Sequence, residues 1–598
     1  MNKNKADENM VLGKFSSLKL KALVIAGFLL PAFGTYAEES APDTFTNPIY
    51  ENGADPWLEY FDGNYYLTTT TWTSQLVMRK SPTLAGLADA EPVYLWSETS
   101  AERCCNFWAY EFHRLKGPNG YRWYMMFTSG RQEDLGGQHL TVLESAGDDP
   151  MGPYTLKGSP MPDSWNIDGN YLQYDDKLYL LWSEWVNAGQ EDEAQLNWIA
   201  EMENPWTITG ERKVLTRPEY DWERSGRPVT EGAETLQRDG RTFVIYSASY
   251  CDTPDYKLGL IELTGNDPLN PNHWEKNPEP VFERGNGVYG PGHNGFFSSP
   301  DGTEDWIIYH GNSKETDGCS ATRSLRAQPF TWNDDGTPNF GEPVPEGEPV
   351  NVPSGEDGPF KVTPQGTSFV IRNAADNQCL ADADSTAECT DDNQWVIDPI
   401  GQGEFRLANA EGEFLTAADC GTDNSAWENK SCQKWQVSTG ENGYLSFTNL
   451  ESDETLQGQW QLSTNEPVVM QSRQSGKVAS LKNNTLVQQN WVNEASQHWY
   501  IRGAEQGFVN FVNAANEKCL AIENNSLAAG ATVTTGECAS DAGQWRLQLH
   551  SSGAMEVISR HSGLTLDLAS CGLKEGMSIN QAPANDTLCQ HFFIRQVQ

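Results

Sequence analysis

Five runs of alternating apolar residues recur at intervals of roughly 60 residues through the first half of the chain: YYLTTTTW (65–72), RWYMMF (122–127), KLYLLWSEW (177–185), RTFVIYSAS (241–249) and DWIIYHG (305–311). A period of two sends one face of each run into a core, and turn signals such as DG, PNG or DD precede the runs as they precede hairpin strands. Helical periodicity is nearly absent from Thr44 to Val352. A unit of this length holds about four strands and has to be packed against copies of itself. The spacing therefore predicts an all-β fold. Of the two candidate architectures, it favours a five-bladed β-propeller over 44–343 rather than a β-sandwich.

From about Phe369 the repeat shortens. Six segments open on an alternating strand and reach a leucine about ten residues on: VIRNAADNQCL (370), FRLANAEGEFL (405), YLSFTNLESDETL (444), VVMQSRQSGKVASL (468), FVNFVNAANEKCL (508) and MEVISRHSGLTLDL (555). Most close on a glutamine and an aromatic: Gln394-Trp395, Gln433 and Trp435, Gln497 and Trp499, Gln544-Trp545, Gln590 and Phe592. A unit near 40 residues cannot close its own core and stacks on its copies. Cys379 with Cys389, Cys420 with Cys432, Cys519 with Cys538 and Cys571 with Cys589 fall inside single repeats, which predicts local disulfides.

This pattern resembles the ricin-type β-trefoil lectin module, with three repeats to a trefoil. The resemblance implies two tandem trefoils, 365–467 and 468–598, the first with a short, degenerate third repeat lacking the Gln-x-Trp ending. It also implies that the glutamines and aromatics are scaffold, and that an Asp early in a repeat contacts sugar. Asp382 and Asp567 are the candidates, with two or three of the six sites at most binding sugar. Between the halves, VPEGEPVNVPSGEDGPFKVTP (344–364) is rich in Pro, Gly and Glu and reads as a loosely extended linker.

Residues 1–37 read as an export signal. Lys14, Lys19 and Lys21 precede the apolar run ALVIAGFLLPAFG (22–34), and Thr35-Tyr36-Ala37 ends it ahead of Glu38-Glu39. The run is shorter than the roughly 20 residues of a membrane span. The expectation is a secreted protein, extracellular or periplasmic, without membrane insertion and monomeric. With 83 acidic against 41 basic residues, the net charge of -42 repels a phosphate backbone and argues against nucleic acid. A neutral glycan suits this field better than a pectic polyanion. Twelve cysteines in an exported chain point to disulfides, and no paired Cys-x-x-Cys suggests zinc. Cys104 and Cys105 either join each other or pair elsewhere, with Cys251 or Cys319.

Three of the 83 acids have a reason to be other than solvated. Asp55 in NGADPWLEYFDGNYY, Asp168 in WNIDGNYLQYDD and Glu231 in RPVTEGAETLQ each stand near the start of a blade's first or second strand. First strands line the central channel of a propeller, so acids far apart in sequence converge there.

The segment 47–330 resembles glycoside hydrolase family 43, through NPIYENGADPW, CCNFWAYEFHRL (104–115), WNIDGNYL, TEGAETL, GPGHNGFF (290–297) and RSLRAQPFTWNDDGTPNFG (323–341). The resemblance implies an inverting glycosidase on a five-bladed propeller, with Asp55 as general base, Glu231 as general acid and Asp168 orienting and tuning the acid. Inversion needs an ionised carboxylate to activate water and a protonated one to meet the leaving oxygen. A neighbouring Asp168 and burial both raise the acid's pKa. Glu234 is the rival acid. The same resemblance makes His293 a residue beneath the site that holds a structural calcium or a water, with no cofactor required for the chemistry. It makes Arg326 a contact to substrate and base, with Arg323 competing. Trp72 and Trp108 are candidate sugar-stacking walls, and Glu111 departs from the family pattern through the preceding Tyr110. NGADPW, RCCNFWA and RAQPFTWN look closest to the branch that trims α-L-arabinofuranosyl units from arabinan or arabinoxylan. The alternatives are a β-xylosidase or other family specificity, and a carbohydrate-binding protein that has lost catalysis.

Overall fold

The computed structural model describes residues 44–186, 194–363, 365–417, 420 and 424–597. The export segment lies outside the described residues. Each run read in the first half is the second strand of an antiparallel blade. Blade 1 is Trp57–Phe61, Asn64–Thr68, Gln75–Ser81 and Val93–Ser97. Blade 2 is Cys105–Gly117, Gly120–Gly130, His139–Ser145 and Tyr154–Gly158. Blade 3 is Ile167–Tyr174, Lys177–Trp185, Gln195–Asn204 and Thr207–Ile208, with Lys213–Thr216 also on its third strand. Blade 4 is Thr230–Arg238, Arg241–Ala248, Lys257–Leu263 and Trp274–Lys276. Blade 5 is Tyr289–Ser298, Asp305–Asn312, Ser324–Trp332 and Pro338–Asn339.

The runs were legible because second strands are buried on both faces, between the blade before and the blade after. Leu76 and Met78 pack against Phe112 and Met125, Met126 and Leu140 against Leu180 and Trp182, and Leu172 and Leu181 against Val244 and Tyr246. Ile245 and Leu260 meet Ile307 and Tyr309, and Leu58 and Leu67 meet Ile308 and Leu325. These five apolar seams close the ring. Among the described residues, no helix is long and apolar enough to cross a membrane.

The segment 344–364 is not the loose linker its composition predicts. Pro349–Asn351 pairs with Thr44–Thr46, Glu356 is buried and accepts the Leu84 N–H at 2.9 Å, and Phe360 bridges Trp427. Pro and Gly mark where a chain turns, but they do not decide whether the backbone between the turns finds partners. This segment finds them along the propeller's rim.

Two closed six-stranded barrels follow. Ser368–Asn373, Gln394–Gly401, Glu404–Ala408, Trp435–Thr439, Leu445–Asn449 and Trp460–Ser463 close through pairing of the first strand with the last. Val468–Ser472, Trp499–Gly503, Val509–Asn513, Trp545–Leu549, Met555–Ser559 and Phe592–Gln596 do the same. The repeat aromatics fill both interiors: Trp395, Trp435, Trp499, Trp545 and Phe592 are buried. The indole N–H groups donate to Leu380 O, Leu415 O, Ala479 O and Leu520 O. The glutamines clamp backbone, as Gln433 does on Ala426 O and the Glu428 N–H, and Gln590 on Pro583 O and the Asn585 N–H. The third repeat is short but not without its closing pair. Gln459-Trp460 supplies it, with Trp460 buried and its N–H 3.5 Å from Leu456 O. The four local disulfides form, as do Cys104–Cys105 and Cys251–Cys319.

Both barrels dock on the outer strands of blades 1 and 2. Asp398 takes Lys80 Nζ at 2.5 Å and Arg406 Nε at 2.9 Å, and Arg406 Nη2 donates to Gly63 O. From the second barrel, Lys477 Nζ donates to Ser97 O at 2.7 Å, Ser97 Oγ to Ser475 O at 2.6 Å, and Arg473 pairs with Glu91. Gly476 lies at φ +70° where a Cβ would stand 2.4 Å from the Leu95 backbone, so only glycine permits this approach.

Candidate active site

At or near the channel end of each blade's innermost strand stands a residue in the left-handed region: Asp55 (φ 50°), Ala109 (41°), Asp168 (54°), Gly232 (49°) and His293 (45°), with Asn106 (55°) and Gly290 (54°) as further ones in blades 2 and 5. Pairing slips at these places in four of the five blades, between Trp108 and Glu111, Ile167 and Asn170, Glu231 and Glu234, and Gly292 and Gly295. Such bulges re-aim side chains, and a non-glycine residue held there is strained. Here they place Asp55, Asp168, Glu231 and His293 around one channel mouth.

Asp55 is the most tightly held. Arg323 Nη1 reaches its Oδ1 at 2.7 Å, and His310 and His293 Nδ1 lie 3.3 and 3.5 Å from the same oxygen. Thr70 Oγ1 donates to Oδ2 at 2.7 Å, and itself accepts the Ala109 N–H from blade 2. Burial pushes the Asp55 carboxyl up, but Arg323, His293 and His310 together hold it well below the usual carboxylate range. Asp55 is an anion in this site.

The other two acids behave oppositely. Burial raises Asp168; His293 opposes this, while the charges of Glu231 and Asp55 add to it. Burial also raises Glu231, against the pull of His293 and its hydrogen bonds, with Asp55 reinforcing the rise. Both carboxyls hold a proton more tightly than an ordinary carboxyl, the reverse of Asp55. Glu231 accepts Gln195 Nε2 at 2.8 Å and the Tyr256 hydroxyl at 2.9 Å, and it is only half-buried. Asp168 is buried, with the Gly232 N–H on its carboxylate. Tyr256 stacks on His310 at 5.7 Å and 8°, so adjoining rings link the anion to the open acid. Burial pushes His310 down to about 4, leaving it neutral. His293 is raised: burial lowers it, but Asp55, Asp168 and Glu231 outweigh that.

A second tier lies one step deeper, where Trp57, Glu111, Asn170, Glu234 and Gly295 follow the left-handed residues by two positions and share their face. Gly295 leaves room for the Trp57 ring, since a Cβ would come within 3.2 Å of it. Asn170 Nδ2 donates to Glu111 Oε2 at 2.8 Å and to Glu234 Oε2 at 2.6 Å. Glu234 is thus buried below the mouth with Glu111 beside it, which removes it as rival acid. Glu111, Glu234 and His293 bring ligand atoms within 4.8 Å of one another. Among the described residues, Glu111 Oε1 and Asn170 Oδ1 are buried acceptors without a partner. Oxygen acceptors left over beside two carboxylates fit a hard divalent cation such as calcium.

The contact to the base belongs to Arg323, not Arg326. Arg326 is fully buried, donates to Ser313 Oγ at 3.0 Å and faces Glu346 at 3.8 Å. Three residues apart near a strand means opposite faces. The Cys251–Cys319 disulfide ties the loop that leads to Arg323 to blade 4. Trp72 sits under Arg323, with the guanidinium carbon 5.7 Å from the ring centre, and its backbone N–H donates to Phe107 O. Trp108 is half-buried beside Ala109. Thr70, His310, Gln195, Tyr256 and Asn170 were not anticipated from sequence. The offset of two from Asp168 would have flagged Asn170, whereas the other four lie in or beside second and third strands that read as ordinary core.

Across the two barrels, pairing aligns Cys379 of the first with Val478, Cys519 and Thr565 of the second as equivalent positions. Two residues on stand Ala381, Ser480, Ala521 and Asp567. Asp567 therefore occupies the early position, with its Oδ1 accepting Gln590 Nε2 at 3.0 Å. Asp382 falls one step beyond, in a turn where it accepts from Ser385 Oγ and the Asp384 N–H.

Comparison with known proteins adds what geometry alone does not name. The family model for glycosyl hydrolases family 43 matches residues 45–338, and one for the ricin-type beta-trefoil lectin domain-like family matches 431–536, straddling the two barrels. An extracellular exo-alpha-(1->5)-L-arabinofuranosidase of Streptomyces avermitilis is 36% identical over 349 residues, covering 55% of this chain and 71% of the relative. One of the same name from Streptomyces chartreusis is 35% identical over 303 residues, 49% of this chain and 90% of the relative. The crystal structure of an alpha-L-arabinofuranosidase from Lactobacillus brevis superposes with a TM-score of 0.47 and 33% identity, over 51% of this chain and 98% of its own. Five blades, a ring of channel acids and relatives matched over most of their length place this chain in glycosyl hydrolases family 43.

Proposed function

We propose that this protein is an exported, inverting α-L-arabinofuranosidase that removes terminal arabinofuranosyl units from arabinan or arabinoxylan. The observation that carries the reading is the split among the channel acids, with Asp55 held ionised by Arg323 and Asp168 and Glu231 both raised. The names of the relatives supply the sugar.

Asp55 removes a proton from water, and the water oxygen attacks the anomeric carbon. Glu231 gives its proton to the glycosidic oxygen as that bond breaks, which releases arabinose of inverted configuration and a shortened glycan. Glu231 is the donor because it is open to the mouth, whereas Asp168 is buried; burial of the Glu231 carboxyl and the charge of Asp55 keep its proton affinity high. A calcium held by Glu111, Glu234 and His293 would add fixed positive charge under the site. Product NMR on arabinan and arabinoxylan tests the reading: β-arabinofuranose as first product supports it, while cleavage of xylosides alone overturns the choice of sugar.

A further inference from the structure

Beside Glu231 lies an apolar shelf that the acid–base steps do not use. Trp185 ends the second strand of blade 3 and pairs with Gln195, whose amide holds Glu231. Ile167 pairs with Ser183, so Trp165 continues the same ladder opposite Trp185. The two indoles are half-buried, with ring centres 6.2 Å apart at 51°. Trp165 Nε1 donates to Leu135 O at 2.8 Å and so ties in the blade 2 loop. Leu135 and Val186 are 55% and 51% exposed, among the most open large apolar side chains of the described residues. Apolar groups gathered at a site mouth mark a ligand surface.

We propose that Trp165, Trp185 and Leu135 bind the leaving group, the neutral sugar that stays on the glycan after cleavage. The inference rests on the glycosidase reading above. In inversion the acid protonates the leaving oxygen, so the leaving sugar stands on the acid's side of the bond, and water stands with Asp55 on the other. Gln195 joins the shelf to that acid, since it pairs with Trp185 and its amide donates to Glu231. An indole presents a flat apolar face, and the C–H face of a sugar ring covers it without burying a charge. Binding there acts at a distance from the reacting carbon and lowers the barrier only for substrates that carry the sugar.

The experiment compares an arabino-oligosaccharide with α-L-arabinofuranosyl fluoride, whose leaving group is a single atom. Trp185→Ala and Trp165→Ala are expected to lower kcat/KM on the oligosaccharide by about 10- to 30-fold more than on the fluoride. Trp185→Phe should recover most of the loss. Leu135→Asp, on an exposed loop where folding is not at stake, should show the same split in smaller measure. Equal losses on both substrates, or none on the oligosaccharide, overturn the shelf. If the unaltered protein cleaves neither substrate, the glycosidase reading itself falls, and the two failures are told apart.

Discussion

The propeller and the trefoil barrels both close by repetition, yet they fill their axes with opposite materials. Down the propeller run Asp55, Asp168, Glu231, His293, Glu111 and Glu234, all but Glu231 buried. Down the barrels run Trp395, Trp435, Trp499, Trp545 and Phe592. The propeller moves its apolar packing outward into five seams between blades, which frees the axis for charge. A six-stranded barrel has no such seams, so its axis is the core. Repetition alone therefore says little about function, whereas what occupies the axis separates reaction site from scaffold.

Substitutions sharpen this contrast, and the largest effect is expected in the propeller. Asp55→Asn or Glu231→Gln should lower kcat by about 10²–10⁴-fold. Retention on polysaccharide should persist, and the unfolding midpoint should move far less than for a barrel core change. A large stability loss without a rate loss would break the contrast. Trp435→Ala tests the other side. Its ring is buried and its N–H bonded to Leu415 O, so truncation should destabilise the barrel by about 3–5 kcal/mol, read by denaturant unfolding.

A subtler test concerns pH. The base acts only when deprotonated, so the rate rises with pH through the Asp55 pKa. The acid acts only when protonated, so the rate falls as pH rises through the raised pKa of Glu231. Removing the Arg323 charge with Arg323→Met should lift the Asp55 pKa, moving the acidic limb of kcat/KM upward by about one to three units. An unmoved limb would show that Asp55 does not control it. The smallest effect is expected from Asp567→Ala, which should weaken retention on arabinoxylan a few-fold in affinity electrophoresis; Asp382→Ala, one position off, should do less.

Much of this was legible in the chain, and the failures share a physical cause. Second strands announced the blades because both of their faces are buried. Inner strands were harder, since a bulge breaks the alternation by which a strand is recognised: WNIDGNYL reads as a turn before it reads as a channel wall. Glu231 stands one residue before the left-handed position of its blade, which Asp168 occupies in its own, so Glu234 follows Glu231 by three while Asn170 follows Asp168 by two. Counting from the acids alone thus cannot align the tiers. Arg326 was preferred to Arg323 because a motif records neighbours in order and not the side of the strand they face. The segment 344–364 misled for a related reason: composition reports flexibility of the free chain, not the partners it meets.

The glycine turn at 476, pressed against the Leu95 backbone, has a consequence for how such an enzyme would meet a solid polysaccharide. A module on a long tether lets its catalytic partner sweep an area around one anchorage. Here the anchorage and the cutting edge belong to one stiff body, with Lys477 and Arg473 bolting the barrel to blade 1. Each landing presents one patch of fibre to the channel, in one orientation. If the barrels hold the fibre, such an enzyme would have to let go and land again to reach the next patch.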